Sequence, residues 1–200
     1  MNKGRLLLAG VLAGLAIFVW GMFSHMALTI GEIAVKALPN ESAVLTCLNQ
    51  NVKEPGFYLY PVGGMMDAQK GSKEQQEAAT KQYEELYKTS PSGVLILTPP
   101  TGQTFNFPKL LVNELVSNLL SGLIAAWLLS LALGGLPSFI GRVVFVALLG
   151  FSTTLAIDVS YWNWYGFPTK YLLSSFLDNT LGFALAGVVL AWMFRQKAKV

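Results

Sequence analysis

Four long apolar segments constrain the fold of this chain more than any other feature. The first is Leu6–Phe23, and three more lie near Lys109–Leu133, Phe139–Val159 and Tyr171–Phe194. Each has about the 20 apolar residues that one crossing of a bilayer requires. The composition agrees, because 53% of the 200 residues are hydrophobic and 12% are charged. The sequence therefore predicts an all-α membrane protein whose four helices form a transmembrane bundle.

Arginine occurs only at one end of these segments. Arg5 precedes the first segment, Arg142 follows the short connection between the second and third, and Arg195 follows the fourth. Lys197 and Lys199 lie on the same side, and the cytoplasmic ends of spans carry an excess of Lys and Arg. The pattern predicts that both termini are cytoplasmic. A basic membrane face accounts for the net charge of +3 without a nucleic-acid partner.

The positions of the segments divide the chain into three parts. Residues 1–24 are expected to be an N-terminal transmembrane signal anchor, residues 25–108 a small α+β domain outside the cytoplasm, and residues 109–200 a three-span domain with a short basic tail. A cleaved signal peptide is the alternative for the first part. The anchor is favoured because the apolar run is long and the sequence after Phe23 lacks the usual small residues of a cleavage site.

Gly10 and Gly14 form a GxxxG pair in the first span. Small residues at this spacing let two helices approach closely. The pattern also arises by chance in runs rich in Gly and Ala, so it is a weak indication of a dimer. Packing against a neighbouring span of the same chain is the favoured interpretation.

The polar segment between the first two spans contains signals for both helices and strands. The predicted elements are a helix capped by Asn40, a strand over Phe57–Val62, a helix over Lys73–Lys88, a strand over Val94–Leu97 and a short pairing strand within Gln103–Phe107. Ser72 and Gln75 have the spacing of a capping box for the second helix. Because a helix lies between the two main strands, we expect these strands to pair in parallel.

Polar residues inside or beside the spans require an explanation, since an ionisable side chain within a bilayer is costly. Placed by the direction of each span, they are predicted to lie in one layer of the outer leaflet: His25, Asn113, Glu114, Asn118, Asp158, Asp178 and Asn179. Three interpretations stay open. These are hydrogen bonds between helices, a proton or cation site, and a catalytic carboxylate pair acting on a lipid. The inner halves of the spans carry almost no ionisable residue, which counts against a transport path across the whole membrane.

An aromatic octet, Tyr161–Pro168, links the third and fourth spans. Large aromatic rings favour the membrane interface, and Trp and Tyr are also common at the centres of protein interfaces. The octet is expected to anchor the chain at the outer surface, and the alternative is a docking surface for another protein. The residues proposed for docking are Tyr161, Trp162, Trp164 and Tyr165.

Several classes of chemistry are not indicated. Cys47 is the only cysteine and His25 the only histidine, so the chain has no intrachain disulfide, no CxxC motif and no HExxH motif. The sequence shows neither a phosphate-binding loop nor a hydrolase motif. It therefore predicts no metal centre, no cofactor and no catalytic residues.

Five stretches together resemble a group of small four-span bacterial membrane proteins. They are Phe23-Ser24-His25-Met26, Gly31-Glu32, Pro39-Asn40-Glu41, Glu54-Pro55-Gly56-Phe57-Tyr58 and the aromatic octet. The resemblance implies four spans and the bacterial cytoplasmic membrane, and it implies no activity. The topology alone also resembles that of claudin-like proteins, but the outer segment lacks their paired cysteines and their Gly-Leu-Trp motif.

These observations favour a non-enzymatic function. We expect a scaffold, accessory subunit or assembly partner of a larger membrane complex, with the bilayer and a further membrane protein as its partners. The first alternative is a small transporter or ion-binding protein that uses Glu114, Asp158 and Asp178. The second alternative is a lipid-modifying membrane enzyme.

Overall fold

The computed structural model describes residues 2–195 of this protein. Its helices and strands follow one another as α1 (Lys3–Met26), α2 (Glu41–Asn51), β1 (Gly56–Tyr60), α3 (Met65–Ala68), α4 (Lys73–Thr89), β2 (Gly93–Leu97), α5 (Phe107–Ala132), α6 (Phe139–Ala156), α7 (Asp158–Tyr165) and α8 (Thr169–Met193). The chain divides into two compact units, each made of more than one segment, and one of the boundaries between them falls within α7.

Four of the stretches in residues 2–195 are helical, long and apolar enough to cross a membrane. They are α1, α5, α8 and the stretch of α6 and α7 taken together. This confirms the four segments predicted from the sequence. The first helix extends beyond the predicted Leu6–Phe23 at both ends. At its start, the Asn2 side chain caps the helix by accepting a bond from the Gly4 amide.

The helical unit comprises residues 2–35, 104–160 and 168–195 of the described chain. Its main packing follows the order α5, α1, α8, α6, while α5 touches α6 and α8 only slightly. Neighbouring helices run in opposite directions. Gly10 and Gly14 of α1 face Leu123 and Leu119 of α5 in reverse order, and α1 therefore lies between two partners, α5 and α8.

Glycine allows the backbones of α1 and α5 to come into direct contact. A Cβ atom on Gly14 would lie 2.6 Å from the carbonyl oxygen of Asn118 and from the Cα of Leu119. A Cβ on Gly10 would lie 2.8 Å from the Cα of Leu123. Only glycine fits at such distances. This confirms the interpretation of the GxxxG pair as packing within the chain.

Small residues fill the interior of the helical unit, and large apolar residues cover its outside. The fully buried set is mostly alanine: Ala9, Ala13, Ala125, Ala126, Ala186 and Ala191, with Leu129, Val146 and Leu190. Large side chains such as Leu7, Val19 and Leu131 are more than half exposed. Helices that pack inside a lipid environment show this distribution, since close backbone approach holds them together.

The second unit comprises residues 36–103 together with 161–167. Its sheet has two strands, β1 and β2, which pair antiparallel, with Gly56 opposite Leu97 and Tyr60 opposite Gly93. The expectation of a parallel pair is therefore wrong. Gly63 and Gly64 adopt positive φ angles of 56° and 77° between β1 and α3. They lie in a turn closed by a bond from the Met65 amide to the Val62 carbonyl, and α3, which was not predicted, follows the turn. The connection between the strands therefore contains two helices, not the single helical crossover on which the parallel expectation was based.

The expected details of this unit have mixed outcomes. The capping box of α4 is present, with Ser72 and Gln75 bonded reciprocally. Asn40 does precede α2, but it adopts a left-handed conformation with φ of 49° and its side chain forms no cap bond. The strand expected within Gln103–Phe107 is wrong, because Asn106 caps the first turn of α5 through the Lys109 amide and Phe107 already belongs to that helix.

A hydrogen bond in the same first turn of α4 shifts the pKa of Glu74. The Ser72 hydroxyl donates a bond of 2.7 Å to Glu74 Oε2, and this bond, aided by a backbone amide, lowers the pKa of Glu74 below its usual 4.5. A lowered pKa means that the folded state favours the carboxylate. The contribution of this bond to stability is therefore complete above the ordinary pKa and is lost as the pH falls through the lowered value.

We predict that Gly14→Ala destabilises the helical unit by about 1–3 kcal/mol, as is typical of overpacking. The added methyl group meets backbone atoms of α5 that cannot rotate away. Gly21→Ala is the matched control, since a Cβ on Gly21 meets nothing within 4 Å. The measurement is the thermal unfolding midpoint in mild detergent, and equal midpoints for both variants would contradict the packing.

We predict that Ser72→Ala weakens the start of α4 by about 1 kcal/mol, the usual cost of losing a cap. Hydrogen exchange of the amides of Glu74, Gln75 and Gln76 would be faster in the variant. Ser72→Asn retains a cap acceptor and is expected to keep protection near that of the unchanged protein.

Candidate functional site

The histidine cluster, formed by Trp20, His25, Glu32 and Asp178, joins the end of α1 to α8. After α1 the chain turns back on itself: the Ile30 amide bonds to the Ser24 carbonyl at 3.0 Å. This turn places Glu32 beside His25. The His25 ring also lies against Gly31, where any Cβ would overlap the imidazole. Glycine at position 31 is therefore needed for the position of the ring.

A carboxylate faces each nitrogen of the His25 imidazole. Nδ1 lies 3.3 Å from Glu32 Oε1, and Nε2 lies 3.7 Å from Asp178 Oδ2. The His25 side chain is 48% exposed and that of Asp178 is 20% exposed. The ring of His25 therefore lies between a carboxylate of the turn after α1 and a carboxylate of α8.

Trp20 positions the carboxylate of Asp178. Its indole Nε1 donates to Asp178 Oδ1 at 2.8 Å and lies 3.1 Å from the Asp178 carbonyl oxygen. A tryptophan N–H within an apolar helix needs an acceptor. Asp178 supplies one on the neighbouring helix, so each of its carboxylate oxygens faces a residue of α1.

A second polar contact joins α6 to α8. Asn179 Nδ2 donates to Thr154 Oγ1 at 2.9 Å, and the Thr154 hydroxyl donates to the Ser175 carbonyl at 3.3 Å. Thr154 is fully buried. Gly150 permits this contact, since a Cβ there would lie 2.9 Å from the Asn179 carbonyl carbon. These residues hold two helices together and expose no reactive group.

Asp158 and Glu114 lie outside the histidine cluster. The Tyr171 hydroxyl donates to Asp158 Oδ1 at 3.1 Å, and Asp158 is buried at the start of α7. Glu114 is exposed on α5 and accepts a bond of 2.9 Å from Asn118 of its own helix. Among residues 2–195, no hydrogen bond or ion pair joins Glu114 to His25, Asp158 or Asp178. The reason is that α5 turns its glycine face toward α1, while Glu114 and Asn113 lie on the exposed side.

The sequence-based site residues therefore form separate contacts. His25 and Asp178 come together, Asn179 bonds to Thr154, and Asp158 bonds to Tyr171. Within the described chain, no three His, Cys, Asp or Glu side chains are placed to share a metal ion. Trp20, Glu32 and Tyr171 were missed by the sequence reasoning. The unpaired indole N–H of Trp20 in an apolar span was a signal that an acceptor must lie nearby.

Seven of the eight residues of the aromatic octet, 161–167, belong to the second unit, and the first five are helical, as part of α7. Tyr165 packs edge-on against Phe57 of β1 with ring centroids 5.2 Å apart. Tyr161 packs against Tyr165 and Phe167 at 5.9 and 5.4 Å. Trp164, in the same helix, is 74% exposed.

Comparison with known proteins gives no assignment. No protein-family model, curated protein or solved structure matches this chain.

We predict that Thr154→Val destabilises the helical unit by about 0.6–1.7 kcal/mol, the range measured for hydrogen bonds between membrane helices. The change removes the acceptor of Asn179 while keeping the side-chain shape. Thr153→Val is the matched control, because the Thr153 hydroxyl is exposed and bonds to Gly150 of its own helix. Thermal unfolding in mild detergent measures the difference, and an equal loss in both variants would contradict the role of Thr154.

Proposed function

We propose that this chain is a multipass protein of the bacterial cytoplasmic membrane that serves as a non-enzymatic accessory or assembly subunit of a larger membrane complex. In this proposal both termini are cytoplasmic and residues 25–108 lie outside the cytoplasm. The observation that carries it is that the polar side chains of the helices bond to one another. The exposed Trp164 remains as a feature suited to a partner.

Support for the membrane location comes from the distribution of side-chain size. The interior of the helical unit is built from alanine and glycine, whereas leucine, isoleucine, valine and tryptophan cover its outside. A soluble protein rarely exposes so large an apolar surface. A bilayer removes this cost, and the arginines at one end of the helices favour that end for the cytoplasm.

Support for a docking role comes from the rigidity of the aromatic octet. The rings of Tyr161, Tyr165 and Phe167 pack on one another, and Phe57 braces Tyr165 from β1. An exposed Trp on a preformed support loses little conformational freedom when it binds. Such residues often dominate the energy of protein interfaces.

Labelling of the natural cysteine tests the proposed orientation. Cys47 is the only cysteine and it is exposed on α2. We predict that a membrane-impermeant maleimide added outside intact cells labels the unchanged protein, whereas Cys47→Ser is not labelled. Lys3→Cys in the Cys47→Ser background is the control for the other side, and it is expected to react only after the membrane is opened. Labelling of Lys3→Cys in intact cells would contradict the orientation.

Purification in mild detergent followed by mass spectrometry tests the docking role. We predict a stoichiometric membrane-protein partner for the unchanged protein and at least about a tenfold loss of it in the Trp162→Ala/Trp164→Ala variant, as expected for interface hot spots. Trp127→Ala/Trp192→Ala is the matched control, since these residues are also exposed but lie on the apolar helices. Unchanged thermal midpoints show that the fold is intact. Retention of every partner by the first variant would contradict the docking role.

Proton or cation binding is the second candidate function, and the placement of His25 between Glu32 and Asp178 favours it. If it operates, vesicles containing the protein show proton flux above that of empty vesicles. Asp178→Asn abolishes the flux, and Thr153→Val retains it. Flux equal to that of empty vesicles excludes proton transport by this chain.

A further inference from the structure

All three arginines of the chain meet at the carboxyl end of α8. Arg142 is only 7% exposed, and its Nη1 donates to the Phe194 carbonyl at 3.1 Å while its Nε donates to the Leu136 carbonyl at 2.9 Å. Arg5 of α1 donates through Nη2 to the carbonyls of Met193 and Arg195. The side chain of Arg195 lies over the Phe139 ring, 5.2 Å from its centroid.

Two of these arginines act as caps for α8. The last carbonyls of a helix lack partners within the helix and carry the negative end of its dipole. Together, Arg5 and Arg142 donate hydrogen bonds to the three consecutive carbonyls at positions 193–195. The helix end is therefore already covered by positive charge and does not repel an anion placed beside it.

The positive charge at this end exceeds what the residues from 2 to 195 neutralise. The acidic residues of the helical unit are Glu32, Glu114, Asp158 and Asp178. Glu32 follows the end of α1 that is opposite to Arg5, and the other three lie in the halves of their helical spans away from the arginines. The helix dipole supplies about half a negative charge, against three guanidinium groups and the nearby Lys3. Within residues 2–195, no carboxylate pairs with any of the three arginines.

Arg5 and Arg195 retain donors that the described chain does not use. Both are exposed, whereas Arg142 is buried. A guanidinium carries five N–H groups in a planar fork, and Arg5 engages only Nη2 while Arg195 rests on an aromatic face. The free edges of such forks match the paired oxygens of a phosphate.

We propose that Arg5 and Arg195 bind the phosphate group of an anionic phospholipid at the end of α8. Arg142 is a positioning residue, since it fixes the helix end on which the other two arginines lie. The site is at the end of apolar helices, where the headgroup of a lipid lying against them is found. The proposal rests on the membrane location proposed above, but it depends on neither the orientation nor a protein partner.

Lipid binding by the full-length protein in mild detergent tests this site. Native mass spectrometry compares phosphatidylglycerol with phosphatidylcholine of the same acyl chains. We expect the unchanged protein to retain phosphatidylglycerol preferentially. Arg5→Gln/Arg195→Gln is expected to lower the affinity for phosphatidylglycerol at least about tenfold, given what one basic residue contributes near an anionic lipid. Equal retention of both lipids by the unchanged protein would overturn the proposal.

Lys109→Gln/Lys170→Gln is the matched control, because it removes the same charge from exposed residues at the first turns of α5 and α8. The control is expected to bind phosphatidylglycerol as the unchanged protein does. A loss of affinity equal to that of Arg5→Gln/Arg195→Gln would show that only the net charge matters, and it would overturn the proposed site. If Arg5→Gln/Arg195→Gln unfolds, Arg195→Gln alone removes no capping bond, and at least about a threefold loss is still expected. No loss in that variant would overturn the proposal.

Competition with inorganic phosphate tests whether the ligand of this site is a phospholipid or a free anion. Inorganic phosphate at millimolar concentration is expected to leave bound phosphatidylglycerol in place, since the acyl chains add apolar contact with the helices. Displacement of the lipid by phosphate alone would show a site for free anions and overturn the assignment to a phospholipid. Failure of the partner test above leaves these outcomes unaffected, so the two proposals fail independently.

Discussion

Close backbone packing of α1 against its neighbours is the constraint from which the other contacts of the helical unit follow. Gly10 and Gly14 bring α1 onto α5, and Gly182 of α8 leaves room for the ring of Trp20, since a Cβ there would lie 3.0 Å from Trp20 Cδ1. Short distances between helix axes let short polar side chains bond across the interface. A larger residue at position 182 would meet the ring of Trp20, whose indole nitrogen bonds to Asp178 of the same helix, whereas larger residues at positions 10 and 14 would separate α1 from α5.

The polar groups of the helices are best understood as consequences of this packing. Asp178 is bonded by Trp20 and faces His25, and Asn179 on the next residue of α8 bonds to Thr154 of α6. Two adjacent residues of α8 thus serve two different neighbours. Since a polar group inside a bilayer needs a partner, each contact both satisfies a side chain and fixes the register of a helix pair. His25 differs, because its side chain is 48% exposed and each of its ring nitrogens faces a carboxylate.

The sequence was informative where local chemistry decides the structure. The length of each apolar run, the spacing of Gly10 and Gly14, and the pair Ser72 and Gln75 each act within one helix or one interface, and all three predictions are confirmed. Predictions that needed the relative placement of elements were less successful. The strands pair antiparallel, and their connection contains a glycine turn and α3 in addition to the single helix that the parallel prediction assumed. Glu114 has a plausible depth for a shared polar layer, but the rotation of α5 about its own axis, which depth does not determine, leaves it exposed beside Asn118.

The contacts of α1 are distributed unequally between its two partners. Toward α8, α1 is held at one end by Arg5 on the carbonyls of Met193 and Arg195, and at the other by Trp20 and His25 on Asp178. Toward α5, the contact consists of small residues and backbone, with no side-chain hydrogen bond between the two helices in the described chain. A change at Gly14 therefore acts on the position of α5, while α1 keeps two polar attachments to α8. Since α5 scarcely touches α6 or α8, its place in the unit depends on the glycine interface with α1.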